Sequence, residues 1–115
     1  MIIAVDFDET VWTRGAEVPG AISSLKALKA RGHTMMLFTN RTGPLLSFAT
    51  TWLKQQGFEF DMINSDLAWW QKLFVSSSKP YADKFVDDRN VGCPVILFMG
   101  VQCVDWKATL DQLAA

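Results

Sequence analysis

The sequence predicts an α/β fold: a doubly wound, three-layer αβα arrangement around a mostly parallel sheet, in one domain spanning residues 1–115. Three observations carry this. Apolar runs of strand length alternate with segments of helical period, the order that builds parallel sheets. The first run, "MIIAV", is continuous and rich in β-branched residues, as in strands covered on both faces. Half of the 115 residues are hydrophobic and the net charge is −1, so the chain can bury a core and is not a disordered one.

The elements follow in order. "MIIAV" is the first strand, stopped by Asp6. "ETVWTRGAEVPG" reads as a loop, with Gly15 and the Pro19–Gly20 pair as breakers. "AISSLKALKARG" places apolar residues at 22, 25 and 28, a helical period; Lys29 and Arg31 suit its last turn, and Gly32 ends it. "TMMLFT" is a second buried strand and "NRTG" a turn. Pro44 suits the first turn of a second helix, which runs to a stop at Gly57. "FEFDMI" alternates as a third strand. "SDLAWWQKLF" reads as a helix with Ser65 or Asp66 as its cap. "SSSKPYA" is a loop, "DKFV" a fourth strand stopped by Asp87 and Asp88, and "PVILF" a fifth strand. "DWKATLDQL" closes the chain as a helix capped by Asp105.

Composition excludes several classes. There is no basic run, which argues against a nucleic-acid surface. The apolar start is too short for a membrane span or a signal segment, so no membrane partner is expected. Cys93 and Cys103 are too far apart for a CxxC motif and read as reduced core thiols, the usage of a cytoplasmic protein.

The chemistry gathers at strand ends. Asp6 follows the first strand, Thr39–Asn40–Arg41 the second, and Asp87–Asp88 the fourth. In a doubly wound sheet these carboxyl ends share one edge, where ligands bind at the switch in strand order. Residues two apart in an extended segment point the same way, so Asp6 and Asp8 can face one reacting group. With Asp87 and Asp88 the edge holds four acids, which calls for a hard cation with oxygen ligands; Mg²⁺ fits best. Lys79, in the loop before the fourth strand, can add a positive charge. Thr39 and the backbone amides of Asn40 and Arg41 can cradle phosphate oxygens at a helix start. Carboxylates, magnesium and a lysine together suggest phosphoryl transfer.

At this point the chain resembles the haloacid dehalogenase superfamily of phosphatases and phosphotransferases. "DFDET" is similar to its DxDx[TV] motif, "LFTN" to its second motif, Lys79 in "SKPYAD" to its lysine motif, and "FVDDRN" to its paired-acid motif. The four come in the family's order and cover nearly the whole chain. The resemblance implies a Rossmann-like core and a Mg²⁺-dependent phosphomonoester phosphatase working through an aspartyl-phosphate. Asp6 would be the nucleophile and Asp8 the general acid and base. The metal would be held by the Asp6 carboxylate, the Asp8 carbonyl, and Asp87 or Asp88. Thr39 would bind the transferring phosphoryl group, with Asn40, Arg41 and Lys79 on the substrate side. Lys84 competes for the lysine role, but at a strand start it would point away from the acids.

Two features depart from the family's pattern. Glu9 stands where relatives often carry glycine. The short spacings between motifs leave no room for a cap domain, so the chain resembles a small capless member. The expected substrate is a small phosphorylated metabolite, a sugar phosphate or a nucleotide. The rival reading is a non-catalytic module that binds phosphorylated ligands or a partner protein. A receiver module, which also pairs acids with magnesium and lysine, would carry its acid pair early, and here the pair comes late.

Other residues read as structural or stay open. His33 has no metal-spaced partner and reads as structural. Arg41 fits a surface ion pair as well as a substrate contact, and Arg89 reads as orienting the acid pair or pairing at the surface rather than binding substrate. Trp12 suits either the core or a leaving group. Adjacent Trp69 and Trp70 cannot both lie on one narrow helix stripe, and with the apolar excess they favour a homo-oligomer.

Overall fold

In the computed structural model, residues 1–63 and 82–114 are described. The chain runs β1 (Ile2–Val5), β2 (Trp12–Thr13), β3 (Ala16–Glu17), α1 (Ala21–Ala30), β4 (Thr34–Leu37), α2 (Gly43–Gln55), β5 (Met62–Ile63), β6 (Lys84–Val86), β7 (Val95–Phe98), β8 (Val101–Val104) and α3 (Trp106–Ala114). Four strands form one parallel sheet in the order β5-β4-β1-β6. This is the α/β fold expected, a parallel sheet flanked by helices. The helix expected at 65–74, with Ser65, Asp66, Trp69 and Trp70, and Lys79 in the loop after it lie outside the described residues.

The core explains the register. Ile3 and Val5 on β1 and Met35 and Leu37 on β4 face one way and meet Leu25 and Leu28 of α1 and Leu53 of α2. Ala4 and Met36 alternate to the other face and are buried too, so these central strands are covered on both sides, as continuous apolar runs require. A one-residue slip would exchange Ala4 with the larger Ile3 or Val5 between two packed faces, so the fit of side-chain volumes fixes the pairing Ile3↔Met35 and Val5↔Leu37.

Helix ends follow local chemistry. Glu17 Oε2 accepts the amide of Ile22 at 3.1 Å, covering a free donor in the first turn of α1. Thr42 occupies the N-cap position of α2 and Pro44 its first turn. Asp105 caps α3 as expected, its Oδ1 accepting the amide of Ala108 at 3.1 Å. α3 is locked inward by Trp106, which is fully buried and donates Nε1–H to the Thr10 carbonyl at 2.6 Å.

Three segments differ from the sequence expectation. The loop at 9–20 contains the hairpin β2–β3, turned by Arg14 (φ 49°) and Gly15 (φ 85°). "PVILF" does form a strand, but it pairs antiparallel with β8 outside the parallel sheet, turned by Met99 (φ 54°) and Gly100 (φ 74°). Both are two-residue hairpin loops with positive φ at each central position, a geometry ordinarily signalled by Asn-Gly or Asp-Gly. Arg and Met in the first position hid them. The strand expected over "FEFDMI" shortens to Met62–Ile63 because Phe58 turns into the core and stacks edge-on against Phe60.

Candidate active site

The order of the parallel sheet decides where the site lies. From β1 the chain builds outward through β4 to β5, then returns to place β6 on the other side of β1. The switch in strand order therefore falls between β1 and β6, and a crevice opens beyond their carboxyl ends. Asp6 follows β1, and its amide donates to the Val86 carbonyl at 3.0 Å. That bond extends the ladder by one residue and sets Asp6 beside Asp87.

After Asp6 the backbone turns sharply. Phe7 is buried, and its carbonyl gathers the amides of Thr10, Val11 and Trp12 at 3.3, 2.9 and 3.1 Å. Both Asp6 and Asp8 line the resulting cleft of about 180 Å³, with Thr39, Asn40, Asp87 and Asp88. Glu9 meets the turn by adopting the left-handed conformation itself, at φ 57°. Its amide donates to the Trp12 carbonyl at 2.8 Å and its carbonyl accepts the Val104 amide at 3.1 Å, which over-determines the strained residue. Left-handed backbone costs an L-residue about 1–2 kcal/mol, and glycine escapes this at an entropic cost of about 0.5–1 kcal/mol. Glu9→Gly should therefore stabilise the protein by about 0.5–1 kcal/mol, a rise in Tm of about 4 °C. A thermal melt checks this, and a fall in Tm would show that the Glu9 side chain makes a stabilising contact larger than the strain.

The paired acids are held by their own turn. Asp87 Oδ1 accepts the Arg89 amide at 3.0 Å, the Asp87 carbonyl accepts the Asn90 amide at 3.1 Å, and Asn90 Nδ2 donates to the Phe85 carbonyl at 2.9 Å. Gln102 on β8 donates to the Asp88 carbonyl at 3.3 Å. Asp6, Asp87 and Asp88 each offer a carboxylate oxygen within 4.8 Å of the others. Such crowding penalises ionisation. Burial, then repulsion from Asp87, lifts the Asp6 carboxyl to about 7. Burial, then the hydrogen bond and repulsion from Asp87, lifts Asp88 to about 6. A divalent cation relieves this repulsion, and three converging carboxylate oxygens are the donor set a hard cation takes. The cluster could thus bind a metal.

On the β4 side, Thr39 is buried against the cleft and its Oγ1 accepts the Arg41 amide at 3.1 Å. The helix begins only at Gly43, so the Arg41 amide faces Thr39 and not an open helix start. The Arg41 side chain turns to Asp8, with Nε on Oδ2 at 3.0 Å and a terminal nitrogen on Oδ1 at 2.7 Å. Nothing local in the sequence joins position 41 to position 8, and this pairing was not expected. Trp12 stacks on Phe7 with ring centroids 5.7 Å apart, which places it in the core. Lys84 sits at the start of β6 and lines a separate cavity with Cys93 and Thr109. Cys93 and Cys103 are free thiols, and burial pushes both upward from their ordinary pKa. Among the described residues, no helix is long and apolar enough to cross a membrane.

The fold and its cluster define an α/β domain with an acidic, metal-competent crevice at the switch point of a parallel sheet. Residues 3–105 match the model of a family described as haloacid dehalogenase-like hydrolase, and the chain belongs to that family. Among solved structures, a conserved protein from Bacteroides thetaiotaomicron is similar, with a TM-score of 0.78 and 34% identity. The match covers 99% of this chain and 89% of that one. No curated protein matches the chain.

Proposed function

We propose that this family member is a Mg²⁺-dependent phosphomonoester phosphatase acting on a small phosphorylated metabolite through an aspartyl-phosphate on Asp6. The observation that carries the reading is the position of Asp6. Its carboxylate belongs to the cluster with Asp87 and Asp88 and also opens on the cleft that holds Asp8 and Thr39.

The Asp6 and Asp87 or Asp88 carboxylates and the Asp8 carbonyl would hold Mg²⁺. When bound, the ion supplies positive charge that offsets repulsion between the carboxylates and the phosphoryl oxygens. An Asp6 oxygen attacks phosphorus as the bond to the leaving oxygen breaks, and Asp8, which carries a proton once one of its two Arg41 hydrogen bonds has opened, gives that oxygen the proton. Asp8, now a carboxylate, then takes a proton from water as the water oxygen attacks phosphorus. The Asp6–phosphorus bond breaks, inorganic phosphate leaves, and Asp8 is protonated again. The Thr39 hydroxyl and the Asn40 amide orient the phosphoryl group, and Lys79 adds charge.

The test is hydrolysis of an aryl phosphate with and without millimolar Mg²⁺, together with thermal melts under both conditions. Turnover should require the metal, and the melting temperature should rise with it by linkage. Binding of phosphorylated ligands without turnover would favour the non-catalytic reading. Metal-independent turnover with no shift in Tm would overturn the magnesium assignment.

A further inference from the structure

We infer that Arg41 is a positioning residue for Asp8: it fixes the proton-transferring carboxylate over the cleft in a family member whose sequence leaves no room for a cap. This rests on the phosphatase reading above. Two parallel hydrogen bonds join the guanidinium to both Asp8 oxygens. A bidentate pair fixes the plane of a carboxylate as well as its distance, which a single donor cannot do. Both Asp8 oxygens accept here, the form that takes a proton from water; carrying a proton to the leaving group requires one of the two bonds to open while the other keeps the side chain in place.

The guanidinium is itself held from behind. It lies over the rings of Phe7, Trp12 and Phe48, at 4.9, 5.0 and 5.8 Å from their centroids. Phe7 and Trp12 are stacked, and Trp12 meets Phe48 edge-on, so the three rings form one packed wall. A terminal nitrogen of Arg41 also donates to the Leu45 carbonyl at 3.2 Å, in the first turn of α2. The Arg41 side chain is only 13% exposed, against 40% for Asp8. The charge is thus fixed by the core, and the carboxylate it grips is the member of the pair that faces solvent and the cleft.

Aromatic faces and a carbonyl are what a delocalised guanidinium prefers, and a lysine could not use the fork. Asp8 is on the turn after β1 and Arg41 follows β4, so the pair also ties together the two strand ends that bring Asp8 and Thr39 to the cleft. Supporting groups of this kind hold reacting groups within a few tenths of an ångström of productive geometry.

The experiment is a double-mutant cycle in the full chain with saturating Mg²⁺. Wild type, Arg41→Lys, Arg41→Gln, Asp8→Asn and the Asp8→Asn/Arg41→Gln double variant are compared on 4-nitrophenyl phosphate and phenyl phosphate. Melts and circular dichroism confirm folding, and Arg41→Lys, which keeps the charge, serves if Arg41→Gln does not fold. Misplacing a proton-transfer group forfeits part of its contribution, so kcat for phenyl phosphate should fall about 10–100-fold. KM should change less than about threefold, because the group is not needed for ground-state binding. The loss in kcat/KM should be smaller for the nitrophenyl ester, whose leaving group needs less protonation in the first step. Once Asp8 is asparagine, a second change at Arg41 should alter kcat less than about twofold, because the two act as one unit.

An undiminished effect of Arg41→Gln in the Asp8→Asn background would overturn the inference and leave the phosphatase reading standing. A rise in KM at constant kcat would do the same, making Arg41 a substrate contact instead. Absence of any magnesium-dependent turnover in wild type would remove the phosphatase reading itself, and the inference with it.

Discussion

Replacing Asp6 by asparagine should abolish turnover and, in the metal-free protein at pH 8, raise the melting temperature. The first effect follows from chemistry. An amide is a poor nucleophile, so both hydrolysis and covalent phosphorylation should be lost, with kcat down by about 10⁴-fold or more. The second follows from crowding. The Asp6 carboxyl is lifted from 3.8 to about 7, chiefly by burial and then by Asp87. Below about pH 4 the folded and unfolded chains both hold this proton. As the pH rises from 4 to 7, the unfolded chain releases it while the folded chain retains it, so stability falls through that window and levels off above 7. Asp88, lifted to about 6, adds a loss of the same sign between 4 and 6. The Asp6 contribution has a ceiling of about 4 kcal/mol; because Asp6 is partly exposed, solvent screening reduces the expectation to about 1–2 kcal/mol.

Asparagine keeps an acceptor for the backbone and removes the charge. The Asp6→Asn variant should therefore match wild type near pH 4 and exceed it in Tm by about 5–10 °C at pH 8 in chelator. Added Mg²⁺ should narrow the gap, since the ion stabilises the wild-type cluster through binding. Melts at both pH values, with intact mass after substrate addition, read all of this. A phosphorylated Asp6→Asn protein would contradict the nucleophile assignment. A variant less stable than wild type at pH 8 would contradict the electrostatic account.

Asp8→Asn should behave in the opposite way, although the two residues stand only two apart. Asp8 is not a member of the crowded trio; it is the anion of an ion pair with Arg41. Losing that charge leaves Arg41 facing an amide, and the variant should be destabilised by about 1 kcal/mol, a modest value because Asp8 is well exposed. Turnover should fall by about two to four orders of magnitude, the usual worth of general acid–base catalysis. With an aryl phosphate whose leaving group needs no proton, the first step should survive better than the second, so phosphoenzyme should accumulate. Rapid acid quench followed by intact mass would show an added phosphoryl group on Asp8→Asn. Wild-type turnover by this variant would show that proton transfer lies elsewhere.

The opposite signs expected for Asp6 and Asp8 mark the boundary between what sequence and tertiary structure each determine. "MIIAV" ending in Asp6 and "DKFV" ending in Asp87–Asp88 were legible because a continuous apolar run and its polar stop are local properties. They sufficed for the parallel sheet, for four acids at one edge and for the family. The Asp105 cap and the Pro44 helix start were legible for the same reason: each satisfies backbone groups within a few residues.

The remaining features arise from non-local contacts. The Arg14–Gly15 and Met99–Gly100 hairpins depend on positive φ at Arg14 and Met99, residue types that rarely adopt it, and only strand pairing enforces it there. Glu9 is left-handed because bonds from Trp12 and Val104 hold it so. The upward shift of Asp6 and the grip of Arg41 on Asp8 join groups 81 and 33 residues apart in the chain. The sequence by itself determined which carboxylates reach the crevice. Whether each one there meets another carboxylate or a guanidinium was decided by tertiary structure, because ionisation energies depend on the charges and burial within a few ångströms and not on neighbours along the chain.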